Sequence, residues 1–288
     1  MSDRLTGYLC LTLAMMTVGA TVTASKIIAG GMAPFTATAL RFAVALPVFA
    51  LVLLAVRPAL PRLPARIWGL LLLQAGAGSV GYTVLLIAGL SHMPSADAGV
   101  LIGTLPAVAA LFSVLVLGER PGRGLWAALG LATLGVAAVT WSGAPQVGLG
   151  AALVMGAVAC ESVFILLNKR FGTPLPPLWQ ATVMTALGLL VAAPFALLEG
   201  RPVAPEALGA VVFYALVPTV GGFLLWYAGA ARVSGAEAAL FTAAAPVTAV
   251  ALAALWLGEA VGPAQIADMA AVVLALLLIA RFPPEEPD

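Results

Sequence analysis

Gln74, Gly78, Gly81 and Tyr82 fall on one face of an apolar stretch at helical spacing. Together they offer an amide, a phenol and a strip of bare backbone, a set suited to holding a small polar molecule by hydrogen bonds. About 140 residues later, Tyr214, Pro218, Thr219 and Gly221 stand at the places of Gln74, Gly78, Ser79 and Gly81. In apolar helices polar groups are costly, and small residues are wasted unless a ligand or another backbone comes close. The two faces therefore either line a cavity or mark close helix packing, with Gln74 bonded to a neighbouring backbone.

Few charges lie inside the apolar stretches. Arg41 and Glu161 each carry a cost of about 2.5–3.5 kcal/mol at mid-depth on an insertion scale, which makes them functional candidates. They either meet as a structural bridge or contact a substrate. Asp268 lies near a helix end, where an interfacial role fits. Pro106 and Pro246 occupy matching places in two stretches, each removing a backbone donor and freeing a carbonyl, with Thr104 and Thr242 close by. Such bends shape the bundle, act as gates, or do both. Asp97 and Glu237 sit in first helical turns, where negative charge suits the helix dipole, and Ser234 completes a capping box with Glu237. Glu119 and Glu259 follow helix C-termini, the unfavourable end of that dipole, and call for backbone amides at the start of the following helix.

Covalent chemistry finds no support. Gly76, Gly78 and Gly81 match G-x-G-x-x-G, but no strand precedes them and they lie inside an apolar helix. The single histidine, His92, sits at a helix end. No metal-ligand pair, nucleophile elbow or phosphate loop appears, so no cofactor or metal is expected and a membrane enzyme is a remote alternative. Cys10 and Cys160 read as packing residues in apolar helices.

The elements that position these residues follow from composition. With 62% hydrophobic and 9% charged residues and a mean hydropathy of +1.11, the chain lacks the polar surface of a water-soluble globule. A net charge of +1 with scattered Lys and Arg argues against a nucleic-acid partner. A spanning helix needs roughly 20 apolar residues, so 288 residues hold ten spans with short loops. They are expected at 6–28, 34–56, 67–89, 95–117, 124–142, 148–168, 177–198, 207–230, 236–257 and 263–281. The fold class is an all-α membrane bundle. Trp68, Trp126, Trp141, Trp179 and Trp256 fall near span ends, as an interfacial belt requires, whereas Trp226 and Tyr227 could close a pathway.

The chain repeats itself. Ala88-Gly89, Ala96-Asp97-Ala98, Pro106, Leu117-Gly118-Glu119 and Gly122 recur as Ala228-Gly229, Ala236-Glu237-Ala238, Pro246, Leu257-Gly258-Glu259 and Gly262 without a gap. Lys26 and Pro34 find partners in Lys169 and Pro177 at a slightly different offset. Two units result, 1–143 and 147–288, each of five spans, and an odd number per unit inverts one against the other. Retention of the first span, rather than its removal as a signal peptide, preserves that pairing. Arg4, Arg57, Arg62, Arg66, Arg120, Arg123, Lys169, Arg170, Arg232 and Arg281 collect on one side, and only Lys26 and Arg201 on the other. Both termini are therefore expected in the cytoplasm. Inverted repeats can expose one central site alternately to either side, so a transporter is implied and a multi-subunit channel disfavoured. An internally duplicated bundle has little need to dimerise, and a monomer is expected.

Ten short spans in two inverted halves, basic residues at Lys26 and Lys169, and the Pro then Leu-Gly-Glu pattern in both halves resemble the EamA-type branch of the drug/metabolite transporter superfamily. Within it the chain looks most like the YddG-type exporters of aromatic and other amino acids. The resemblance implies a central cavity and efflux across the inner membrane. Gln74, Gly78, Tyr82, Thr104, Tyr214 and Thr242 would line the site, with Pro106, Pro246 and Trp226 as gating elements. A zwitterion of modest size fits these groups without a dedicated ion pair. A proton-coupled exporter of drugs or other metabolites is the alternative, with Glu161 as its carboxylate.

Overall fold

A computed structural model describes residues 3–59, 63–117, 126, 130, 145–171, 175–200, 203–232, 241, 244–263, 265–267, 269–271 and 274. Eight apolar helical segments dominate: α1 (Asp3–Ala29), α2 (Pro34–Val56), α3 (Ala65–Leu90), α4 (Ser95–Val116), α5 (Pro145–Phe171), α6 (Pro177–Glu199), α7 (Pro205–Ala230) and α8 (Ala244–Leu257). The first seven contain stretches long and apolar enough to cross a membrane. No strand occurs among the described residues. The segments coincide closely with the expected spans, but most of 124–142 and 263–281 and the start of the ninth span lie outside the described residues.

Local chemistry explains the helix ends. Pro34, Pro177 and Pro205 open α2, α6 and α7, where a missing N–H costs nothing and a fixed φ helps. Gly200 closes α6 in the left-handed region. Leu51, Leu54, Leu197, Leu198 and Leu255 point outward, as helices surrounded by hydrocarbon allow.

α3 and α7 share an interruption that the sequence reading did not anticipate. Each widens into π-helical turns at equivalent places, Ala75–Gly81 and Ala215–Gly221. In α7 the cause is visible: Pro218 has no N–H for the Tyr214 carbonyl, and the Thr219 hydroxyl donates to that oxygen instead, at 2.9 Å. In α3, the Tyr82 N–H reaches back five residues to the Ala77 carbonyl. Such bulges frequently mark functional sites.

The helices pack in exchanged pairs. α3 lies against α5 as α7 lies against α1, α2 packs on α6, and α4 packs on α8. A Cβ added to Gly89 would sit 3.0 Å from the Gly150 carbonyl oxygen and press on Val154. One added to Gly229 would sit 3.0 Å from the Gly7 carbonyl oxygen and press on Leu11. Only glycine permits either approach.

One end of the bundle is laced by hydrogen bonds between helix termini. The Lys26 ammonium donates to the Leu90 and Met93 carbonyls, both at 2.8 Å. The Ala204 N–H donates to Gly31 at 3.0 Å. Glu199 accepts from the Phe35 and Thr36 amides and the Thr36 hydroxyl at 3.0, 2.7 and 2.8 Å. Glu259 accepts from the Ser95 and Ala96 amides, both at 2.9 Å. At the opposite end the Trp179 indole donates to the Pro58 carbonyl at 2.9 Å.

Candidate functional site

α2, the two π-helical stretches and α5 bring a charged and aromatic cluster together inside the bundle. Arg41 lies seven residues into α2, about 10 Å along it at 1.5 Å per residue, and is buried. Its guanidinium sits 4.3 Å from the centre of the Phe42 ring and 4.5 Å from that of Tyr214. Aromatic faces suit this weakly hydrated cation. Arg41 Nη2 donates to the Ser79 carbonyl at 3.3 Å, within the π-helical stretch of α3. The same oxygen accepts from the Thr83 hydroxyl at 2.8 Å. Arg41 Nε is buried and has no partner.

Glu161 on α5 and Tyr82 on α3 lie within electrostatic reach of Arg41. The carboxylate does not come within the 4.0 Å of an ion pair with that guanidinium. Glu161 and Tyr82 are both deep in the protein and both keep accessible surface. The cluster therefore presents a cation with an unused donor, a carboxylate that does not pair with it and two phenols, Tyr214 buried and Tyr82 part-exposed, which together offer recognition chemistry.

The other expected site residues are distributed differently. Gln74 is buried where α3 enters its π-helical stretch. A Cβ on Gly78 would collide with the Phe164 side chain, so this glycine serves close packing of α3 on α5. Thr104 is buried at an interruption of α4, and its hydroxyl donates to the Leu101 carbonyl at 2.6 Å. Pro106 follows at the start of the next helical stretch, Leu105–Phe112. Pro246 is buried near the start of α8, and Thr242 lies outside the described residues. Trp226 is half-buried on α7, beside a Phe223–Tyr227 stack with centroids 6.1 Å apart. A separate groove of about 240 Å³ opens between α1, α7 and α8, lined by Thr23, Glu206, Phe213 and Trp256 among others. It contains none of the expected binding residues.

The EamA-like transporter family matches residues 5–141 and again residues 148–281. The chain belongs to that family. It is a multi-pass membrane transporter and not an enzyme. An uncharacterized transporter of Bacillus subtilis, YetK, is 30% identical over 263 residues, covering 88% of this chain and 80% of the relative. A probable terminal-alkyne amino-acid exporter of Streptantibioticus cattleyicolor is 28% identical over 221 residues, covering 75% and 74%. A solved structure described only as "Crystal structure of protein" superposes with a TM-score of 0.66 at 23% identity, covering 96% of this chain and 97% of that one, and so shares the fold.

Within this transporter, two expectations need correction. Glu259 does find helix-start amides, but they belong to α4 of the other half rather than to the following helix. Asp97 does stand in the first turn of α4, as expected, but its carboxylate accepts from the Gln265 amide at 3.2 Å rather than capping that helix. Sequence reasoning passed over Glu199, Lys26 as a cap of α3, and Gln180. The Gln180 amide is buried on α6 with neither its nitrogen nor its oxygen partnered. A signal existed for Glu199, which precedes Gly200 at a helix end much as Glu259 follows Gly258.

Proposed function

We propose that this family member exports small metabolites, most readily aromatic and other neutral amino acids, from the cytoplasm across the inner membrane by alternating access. The observation that carries this reading is the internal cluster of Arg41, Tyr82, Tyr214 and Glu161. The substrate class draws further support from the relative named as a probable terminal-alkyne amino-acid exporter.

An arrangement of ten helices in two inverted halves supplies the mechanics. It is supported by the matching π-helical stretches, by the mirrored approaches of Gly89 and Gly229, and by the family's separate match to each half. The end laced by Glu199, Glu259 and Lys26 is the outer one if the excess of basic residues marks the cytoplasm. Its carboxylates join helices of the second half to helix starts of the first, so the halves are held together there. Opening outward requires those bonds to part while the opposite end closes.

Uptake of radiolabelled amino acids into liposomes containing the purified protein, beside empty liposomes, tests the function. Saturable uptake of neutral or aromatic amino acids, competed by unlabelled substrate, is expected. An imposed pH gradient separates facilitation from coupling. Tyr214→Ala should slow uptake severalfold with folding intact. Normal uptake by this variant would remove the Arg41–Tyr214 contact from the transport path, and a folded protein carrying no amino acid would move the substrate to drugs or other metabolites.

A further inference from the structure

Every charge placed inside an apolar bundle needs an explanation, and folding alone leaves one here unexplained. Arg41 is 8% exposed, touches two aromatic faces, and donates from Nη2 to the Ser79 carbonyl at 3.3 Å. Its Nε is buried without a partner. A guanidinium offers five donors in a fork that matches a carboxylate, and leaving such a donor buried and unused costs free energy. Glu161 would be the obvious counter-ion, yet the two do not pair, and Glu161 keeps some accessible surface on the part of α5 where Cys160 and Phe164 meet Gly81 and Gly78 of α3.

We infer that Arg41 and Glu161 together read the main chain of an α-amino acid, Arg41 taking the carboxylate through its incompletely bonded guanidinium as the bundle opens and Glu161 taking the ammonium. This rests on the amino-acid reading above and sharpens it, because it replaces diffuse recognition by phenols and carbonyls with two defined charges. The substrate bridges two groups that the fold holds apart, and its opposite charges neutralise both at once. A molecule lacking either charge leaves one protein charge buried and unmatched, a discrimination that polar sites achieve with large ratios. Tyr82 and Tyr214 belong to the apolar packing beside these charges, so an aromatic or apolar side chain is compatible with the surroundings.

The test is competition in the liposome uptake assay, using labelled L-phenylalanine against three unlabelled analogues: phenethylamine without the carboxylate, 3-phenylpropionate without the amine, and phenylalaninamide with the carboxylate neutralised. Each analogue is expected to compete at least about 10-fold more weakly than phenylalanine with the native protein. Arg41→Gln is expected to lose at least about 10-fold in phenylalanine uptake and to stop distinguishing phenylalanine from phenylalaninamide. Glu161→Gln should stop distinguishing it from 3-phenylpropionate. The native-protein competition needs no variant to fold, and Arg41→Lys, which keeps the charge but not the fork, should retain the discrimination in part. If the native protein carries phenylalanine but all three analogues compete equally well, the charge-pair reading is overturned and the amino-acid reading survives. If it carries no amino acid at all, both fall.

Discussion

Two regions of this bundle handle buried charge in opposite ways. At the laced end, Glu199 and Glu259 each accept two backbone amides of a helix start, and Lys26 donates to the last carbonyl of α3 and to that of Met93 in the loop beyond it. All three charges complement helix dipoles and satisfy backbone groups that have no partner within their own helix. In the internal cluster, Arg41 stacks on rings, keeps an unused donor and stands apart from Glu161. Charges of the first kind stabilise a particular arrangement of helices. A charge of the second kind leaves part of its desolvation cost uncompensated until something else enters. The contrast separates residues that hold a state from residues that we propose to bind.

Breaking the laced end should have the largest effect on stability. Glu199→Ala and Glu259→Ala each strip two amides of a charged acceptor, and hydrogen bonds to charged groups contribute about 1.5–3 kcal/mol apiece. A loss of about 2–4 kcal/mol per variant is expected after partial recovery by water at the helix end. Thermal unfolding in detergent would register it as a clear drop in melting temperature, with Glu→Gln falling between because one oxygen still accepts. Unchanged melting for both alanine variants would mean that these carboxylates hold nothing together.

Lys26→Met should come next. It removes two bonds to the Leu90 and Met93 carbonyls and a positive charge at a helix C-terminus, for a loss of about 1–3 kcal/mol. Lys26→Arg should recover part of the loss. The same melting experiment decides between them, and a methionine variant as stable as the parent would show the carbonyls to be served equally well by water.

How much of this was legible in the sequence depended on the range of the interaction concerned. Helix positions were, because twenty apolar residues and a proline at a helix start act locally: the expected 34–56 coincides with Pro34–Val56. The burial of Arg41 inside the bundle was legible too, since a charge in an apolar run is conspicuous wherever it ends up. Which helix Glu259 would cap was not. The requirement for amides is local, but their source lies more than 160 residues away in the chain, at Ser95 and Ala96. The π-helical stretch of α7 could have been read from Pro218 followed by Thr219, a missing donor beside a replacement, while the glycine-rich stretch of α3 carries no such mark. Gly78 was ambiguous for a related reason. Bare backbone serves a ligand or a neighbour equally, and only the position of Phe164 shows which neighbour is there.

The smallest expected effect on stability is the one that separates the two regions most sharply. Arg41→Met replaces a buried, incompletely bonded guanidinium with a flexible apolar side chain that is shorter by the guanidinium carbon and its terminal nitrogens, so Phe42 and Tyr214 must close in slightly to pack against it. Exchanging buried ionic groups for apolar ones of similar volume is often neutral, or stabilising by about 1–4 kcal/mol. Arg41→Met should therefore melt at the parent temperature or slightly above it, even as uptake falls at least about 10-fold. That combination would contrast with Glu199→Ala and Glu259→Ala, where stability falls first. If Arg41→Met instead unfolds as readily as the carboxylate variants, Arg41 belongs with the groups that hold the bundle together, and the internal cluster is structural.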